Sequence, residues 1–119
     1  MSFRAILHEL VSRVPGGLGA IIVDWEGEAV DQSGTQDEYS LKVMGAHKGL
    51  ILDGLRRAGA RAAGNDLEEI VITTERLQTF ILPVDREYFL LLTTTRESVG
   101  GRALFEARRT LKKIKAEIG

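Results

Sequence analysis

The 119-residue sequence contains no cysteine, only two prolines and two histidines, and no long apolar run. Without cysteine there are no disulfides and no thiolate metal sites. No segment approaches the roughly 20 apolar residues of a membrane-spanning helix. The N-terminal segment MSFRAILHELVSRV alternates charged with apolar residues, unlike a signal peptide. We therefore expect a cytoplasmic protein with no membrane insertion.

Charge of either sign is not in excess. Sixteen Lys and Arg against seventeen Asp and Glu give a formal net charge of -1. This balance does not favour nucleic acid or an anionic membrane as a partner. The C-terminal cations are interpreted as the solvated end of a helix, where positive charge complements the helix dipole; they are Arg108, Arg109, Lys112, Lys113 and Lys115.

Catalytic motifs are missing as well. His8 and His47 fall on different predicted helices, and neither has a carboxylate at a ligand-like spacing. The GGLG segment (16–19) runs from helix to strand, whereas a phosphate-binding loop runs from strand to helix. Glu68 and Glu69 lie at the start of a predicted strand and favour solubility over acid–base chemistry. We expect no catalytic residue, no metal and no cofactor, and hence not an enzyme.

Hydrophobic periodicity gives the order of elements. Apolar residues from Phe3 to Val14 recur at three- and four-residue spacing and predict a helix that VPGG terminates. Short β-branched runs separated by turns predict a hairpin and then a three-stranded meander. A second helix lies between them, and Ser98 is expected to cap a third. The apolar stripe of this third helix is predicted to be Leu104, Ala107, Leu111, Ile114 and Ile118. The predicted strands are 18–25, 28–33, 67–74, 77–84 and 88–95, and the second helix, called the central helix below, is 38–63.

The central strands are apolar on both alternating faces, so helices should cover both faces of the sheet. The prediction is a single α+β domain over residues 1–119. It contains a five-stranded antiparallel sheet between helix layers, in the order α-β-β-α-β-β-β-α.

The central helix has an unusual number of glycines, at positions 45, 49, 54, 59 and 64. Each interior glycine costs roughly 0.5–1 kcal/mol against alanine, which indicates a closely approaching neighbour. One apolar stripe of the helix is expected to pack against the sheet. A second stripe, roughly 130° away on a wheel of 100° per residue, holds Tyr39, Val43, Ala46, Leu50 and Gly54.

Either another helix of the same chain or a second copy covers that stripe. Connection rules place the two terminal helices together on the other sheet face, which favours a two-fold dimer. The apolar strand centre Ile70-Val71-Ile72, predicted at a sheet edge, also favours pairing with its twin. A third side of the helix stays accessible, as a partner platform or as plain solvated surface; it includes Lys42, Gly49, Asp53 and Arg56.

Two segments resemble the Roadblock (dynein light chain) family. FRAILHELVSRVPGGLGAIIVDWEGEAV looks like the family's first helix and hairpin. ITTERLQTFILPVDREYFLLLTTTRESVGGRALFEAR is similar to the meander and last helix of its bacterial MglB-like branch. The resemblance implies a Roadblock/profilin-like fold and a homodimer with paired central helices and a continuous sheet. It places Tyr39, Val43, Ala46, Leu50, Gly54, Ile70, Val71 and Ile72 in the dimer.

The resemblance also implies regulation or scaffolding of a small Ras-like GTPase, with GTPase activation as one form of regulation. The platform for this partner would be Lys42, Gly49, Asp53, Arg56 and Arg57. Two other functions stay open: a dimeric adaptor that changes no enzyme's rate, and a small-molecule sensor. Leu50→Arg is expected to split the dimer, and Arg56→Glu to weaken partner binding alone.

Overall fold

The computed structural model of the protein describes residues 2–24, 26, 28–34, 54, 57 and 68–118. The described residues include two helices and five strands. They are α1 (Phe3–Arg13), β1 (Gly17–Asp24), β2 (Ala29–Gly34), β3 (Ile70–Thr73), β4 (Leu77–Pro83), β5 (Tyr88–Thr95) and α2 (Gly100–Ile118). The predicted central helix lies outside the described residues, except Gly54 and Arg57, which are both helical.

The five strands form one sheet in the order β2-β1-β5-β4-β3, and every neighbouring pair is antiparallel. This confirms the predicted α+β class and the five-stranded antiparallel sheet. Leu91 of β5 pairs with Ile21 of β1 on one side and with Ile81 of β4 on the other. Strand β3 lies at one edge, as the sequence predicted, and β2 lies at the other.

Both faces of the central strands are buried, and the side chains alternate between two clusters. The cluster under α1 and α2 includes Ile22, Phe80 and Leu90, each no more than 1% exposed. The cluster on the opposite face consists of fully buried Ile21, Val23, Ile81, Phe89 and Leu91. The terminal helices α1 and α2 pack together, as expected from topology.

The turn between α1 and β1 explains the VPGG segment. Val14 is extended, as the residue before a proline must be, and so ends α1. Gly16 has φ 82°, which side-chain-bearing residues rarely adopt. A Cβ on Gly17 would lie 2.7 Å from the carbonyl oxygen of Val11. The two glycines therefore let β1 leave immediately beneath the last turn of α1.

Two boundary predictions were wrong. Strand β3 begins at Ile70 and not at 67, since its ladder with β4 starts at the Ile70–Ile81 pair and does not include Glu68 or Glu69. Ser98 does not cap the last helix. The Val99 carbonyl accepts the first helical N–H bonds, from Arg102 and Ala103, while the Ser98 hydroxyl donates to the Pro15 carbonyl at 2.8 Å.

The buried stripe of α2 is also rotated from the predicted one. The prediction was Leu104, Ala107, Leu111, Ile114 and Ile118, but the buried residues are Ala103, Glu106, Ala107, Thr110 and Ile114. Ile118 is 40% exposed. The small side chains at the centre of the stripe bring the α2 backbone close to the core. Leu104 and Leu111 lie at the side of the stripe and are partly buried.

Candidate protein interface

The edge strand β3 presents open backbone groups. The Thr74 N–H donates to the Leu77 carbonyl at 2.9 Å across a two-residue turn. Hydrogen-bonded and non-hydrogen-bonded pairs alternate along an antiparallel ladder. Because Thr74 and Leu77 form a hydrogen-bonded pair, the next hydrogen-bonded pairs along the ladder are Ile72–Thr79 and Ile70–Ile81. The backbone groups of Ile72 and Ile70 therefore point to β4. The N–H and C=O groups of Val71 and Thr73 therefore point away from the sheet, where a further strand would lie.

The side chains of β3 differ between its two faces. Ile70 and Ile72 are half-buried and pack against the cluster that contains Phe89 and Leu91. Val71 points to the other face and is 45% exposed. The three residues predicted for the interface, Ile70, Val71 and Ile72, therefore form one edge of the sheet. The two isoleucines pack against the core on one face, and the valine is an exposed apolar side chain on the other.

An ion pair with α2 holds the start of β3. The Arg108 Nε donates to Glu69 Oε2 at 2.9 Å, and its Nη2 pairs with Glu69 Oε1. This two-point contact is the geometry that suits a guanidinium and a carboxylate. The hydrogen bonds from Arg108 lower the pKa of the Glu69 carboxyl and raise the pKa of Arg108.

The other end of β3 is held by Arg96, which follows β5. Its Nη1 donates to the Thr74 carbonyl at 3.1 Å, and its backbone N–H donates to the Arg76 carbonyl. The Gln78 amide in turn donates to the carbonyls of Arg96 and Ser98, at 2.8 and 3.0 Å. Polar contacts therefore fix both ends of a strand that has only one strand neighbour.

The predicted platform and helix seam fall mostly outside the described residues. Gly54 is exposed, and apart from its chain neighbours and the backbone of its own helix no atom lies within 4 Å of the position that its Cβ would occupy. Arg57 is exposed as well. The residues outside the described ranges are Tyr39, Val43, Ala46 and Leu50 of the seam and Lys42, Gly49, Asp53 and Arg56 of the platform.

Sequence reasoning missed the contacts that position β3. Glu69 was expected to favour solubility, and Arg108 to be part of a solvated helix end, but the two form an ion pair. Lys113 likewise pairs with Glu9 of α1 at 3.0 Å. The only available signal was an acidic residue at a strand start together with cations on a helix expected to cross the same sheet.

The described residues contain neither a metal-ligand cluster nor a membrane-spanning helix. Within the described ranges, no group of three or more His, Cys, Asp or Glu side chains is placed to hold a metal ion. No helix of the described part of the chain has the length and hydropathy that crossing a bilayer requires.

Comparisons with known proteins agree with this architecture. A family model of the Roadblock/LC7 domain matches residues 5–94. A Roadblock/LC7 domain from Streptomyces avermitilis is 21% identical, with a TM-score of 0.90 over 99% of this chain and 98% of that one. MglB from Myxococcus xanthus is 9% identical, with a TM-score of 0.87 over 97% and 93%.

MglC from Myxococcus xanthus is 25% identical, with a TM-score of 0.71 over 98% of this chain and 99% of that one. No curated protein sequence matches the chain. The structural neighbours thus share the fold along nearly the whole length of both chains.

Proposed function

Because the chain belongs to the Roadblock/LC7 domain family, we propose that it acts in the cytoplasm as a homodimer that regulates a small Ras-like GTPase. The observation that carries this proposal is the open edge of β3, where the backbone of Val71 and Thr73 faces outward. An exposed apolar edge strand is a liability that proteins cover or pair. The β3 strand of a second copy, related by a two-fold axis, would hydrogen-bond to these outward backbone groups, and the same residues would form both sides of the contact.

The proposed dimer extends the five-stranded sheet across two copies of β3. A two-fold axis perpendicular to the sheet makes the two β3 strands antiparallel, so outward N–H groups of one copy meet outward carbonyls of the other. The central helices would then pair through the seam of Tyr39, Val43, Ala46, Leu50 and Gly54. The exposed position of Gly54 and the open space beside it support such a close approach.

The GTPase would bind the platform formed by Lys42, Gly49, Asp53, Arg56 and Arg57 of the central helices. A regulator of this kind acts by ordering the switch loops of the GTPase, which position the attacking water and the groups around the γ-phosphate. The family resemblance supports this partner class, and the exposed Arg57 supports an accessible platform.

The test uses the small Ras-like GTPases of the same genome, each loaded with GDP or with a non-hydrolysable GTP analogue. We expect one of them to bind in a nucleotide-dependent way, and single-turnover GTP hydrolysis to change when the protein is added. Arg57→Glu should weaken binding by about tenfold or more while the dimer persists. The matched control is Arg86→Glu, an exposed arginine in the β4–β5 turn, which should leave binding unchanged.

The outcomes separate regulator from adaptor. Binding that ignores the nucleotide and leaves hydrolysis unaltered would favour a dimeric adaptor. Failure of every GTPase in the panel to bind would contradict the proposed partner class. A metabolite that raises the melting temperature would favour a sensor, since ligand binding adds to folding stability.

A further inference from the structure

The solvent-facing side of α2 carries an exposed aromatic residue. Phe105 is 57% exposed, although the opposite side of the helix already supplies buried Ala103, Ala107 and Ile114 to the core. At 100° per residue, Phe105 and Lys112 lie almost diametrically opposite that buried stripe. Among the described residues, neither buried apolar cluster includes Phe105.

Cations surround Phe105. Helix α2 contains six Lys and Arg residues and two Glu residues. Three of the cations form ion pairs: Arg102 with Glu106, Arg108 with Glu69, and Lys113 with Glu9. The other three, Arg109, Lys112 and Lys115, are exposed.

Spacing brings the aromatic and two of these cations together. Arg109 and Lys112 follow Phe105 by four and seven residues, so the three side chains share one face of the helix. We define Phe105, Arg109 and Lys112 as the α2 face. Arginine and aromatic residues are the types most enriched at the energetic centres of protein interfaces. Positive charge next to an exposed ring suits a partner that offers carboxylates beside an apolar side chain.

Other polyanions fit this surface less well. Nucleic-acid-binding domains are strongly basic, whereas this chain has a net charge of -1. Membrane-binding polybasic clusters contain about four to eight Lys and Arg residues. Helix α2 has six, but Glu106, Glu69 and Glu9 already pair with three of them. The attraction is local to this face and therefore favours a short acidic segment over an extended anionic surface.

We infer that the α2 face binds an acidic segment of another protein. An apolar side chain of the segment packs on Phe105, and its carboxylates pair with Arg109 and Lys112. The face lies on the sheet side opposite to the Ile21–Phe89 cluster. It shares no residue with the platform assigned to the GTPase. The protein would thus connect two different partners.

The probe is a phage-displayed library of random peptides, selected against the full chain. We expect the retained peptides to be rich in Asp and Glu around an apolar residue, and to bind less well as salt increases. A synthetic copy of one peptide should lose about tenfold or more in affinity for Phe105→Ala and for Arg109→Glu. Val30→Ala and Arg86→Glu are matched controls, an exposed apolar and an exposed cationic residue elsewhere, and should bind as the parent does.

Each variant must keep the parent's circular dichroism spectrum and melting temperature, since these positions are exposed. Selected peptides whose affinity is the same for Phe105→Ala and Arg109→Glu would overturn the inference. Two further results would overturn it as well. One is that no acidic peptide is selected, and that the parent binds phosphatidylserine vesicles whereas the two variants do not. The other is a lower solution mass for Phe105→Ala, which would make a second copy the occupant. None of these results depends on a GTPase.

Discussion

The central strand β5 and the edge strand β3 have similar apolar sequences but different surroundings. Strand β5 spans eight residues, pairs on both sides, and has six consecutive buried residues. Strand β3 spans four residues, pairs on one side, and has no fully buried residue. Polar contacts from Glu69, Arg96 and Arg108 hold its ends. The comparison indicates that β5 stabilises the chain itself, whereas β3 is the strand that the proposed dimer would pair.

The largest expected effect is at β5. Leu90 is fully buried among residues of α1, α2 and the neighbouring strands. Leu90→Ala should lower the free energy of unfolding by about 2–5 kcal/mol, through lost burial and the cavity that remains. Urea denaturation at a fixed protein concentration measures this. A loss below 1 kcal/mol would show that β5 is not the stabilising element.

The second largest effect is expected at β3, where one substitution should dissociate the dimer without unfolding the monomer. Val71→Pro removes an outward N–H that β4 does not use, so the dimer should dissociate while the monomer stays folded. Light scattering should then give a single-chain mass of 13.1 kDa. The matched control is Ile72→Pro, which removes an N–H directed to β4 and should cost about 1–3 kcal/mol of stability. A Val71→Pro variant that remains dimeric would place the seam elsewhere.

A smaller, pH-dependent effect is expected at the start of β3. Because Arg108 lowers the folded-state pKa of Glu69, this pair stabilises the fold above the ordinary carboxylate value of 4.5. The contribution is lost as pH falls below that value toward the folded-state pKa. Arg108 is largely exposed, so screening by solvent keeps the contribution small.

The measurement compares unfolding of the parent and Glu69→Gln from pH 7 down to pH 3. The difference between them should be largest near neutral pH and shrink as the medium becomes acidic. The carboxyl of Glu9 also has a lowered pKa, through hydrogen bonds from Lys113 and then Arg13, so the parent alone cannot isolate Glu69. A difference independent of pH would contradict an ionic role for Glu69.

The smallest effect is expected at the opposite edge of the sheet. Val30 of β2 is 44% exposed, close to the value for Val71. If only the β3 edge assembles, Val30→Lys should leave the mass unchanged and alter stability by no more than about 0.5 kcal/mol. Loss of the dimer in Val30→Lys, with Val71→Pro still dimeric, would reverse the assignment of the two edges.

Much of the fold follows from local patterns. The apolar runs of β1 and β5 are long enough on both faces to predict buried central strands, and their observed bounds differ from the predicted ones by at most one residue. The end of α1 was predictable because Pro15 and the two following glycines leave the chain few alternatives. The N-terminal end of β3 was not, because no proline or glycine marks the residue at which its ladder with β4 begins.

The contacts of the candidate interface were harder to predict. Glu69 and Arg108 are 39 residues apart, and their meeting depends on how α2 crosses the sheet, which no local pattern encodes. The same holds for Ser98, whose hydroxyl binds the Pro15 carbonyl of a distant turn. The position of β3 at an edge was predictable because a three-stranded meander pairs its strands in order, and the last of them, β5, pairs with β1.

Amide hydrogen exchange at Val71 and Thr73 tests the central claim most directly, because their N–H groups face away from β4. If β3 pairs with its twin, these two amides should be protected like those of β5 at high protein concentration and should exchange faster on dilution. Fast exchange of both amides in a sample that is dimeric by mass would contradict the account.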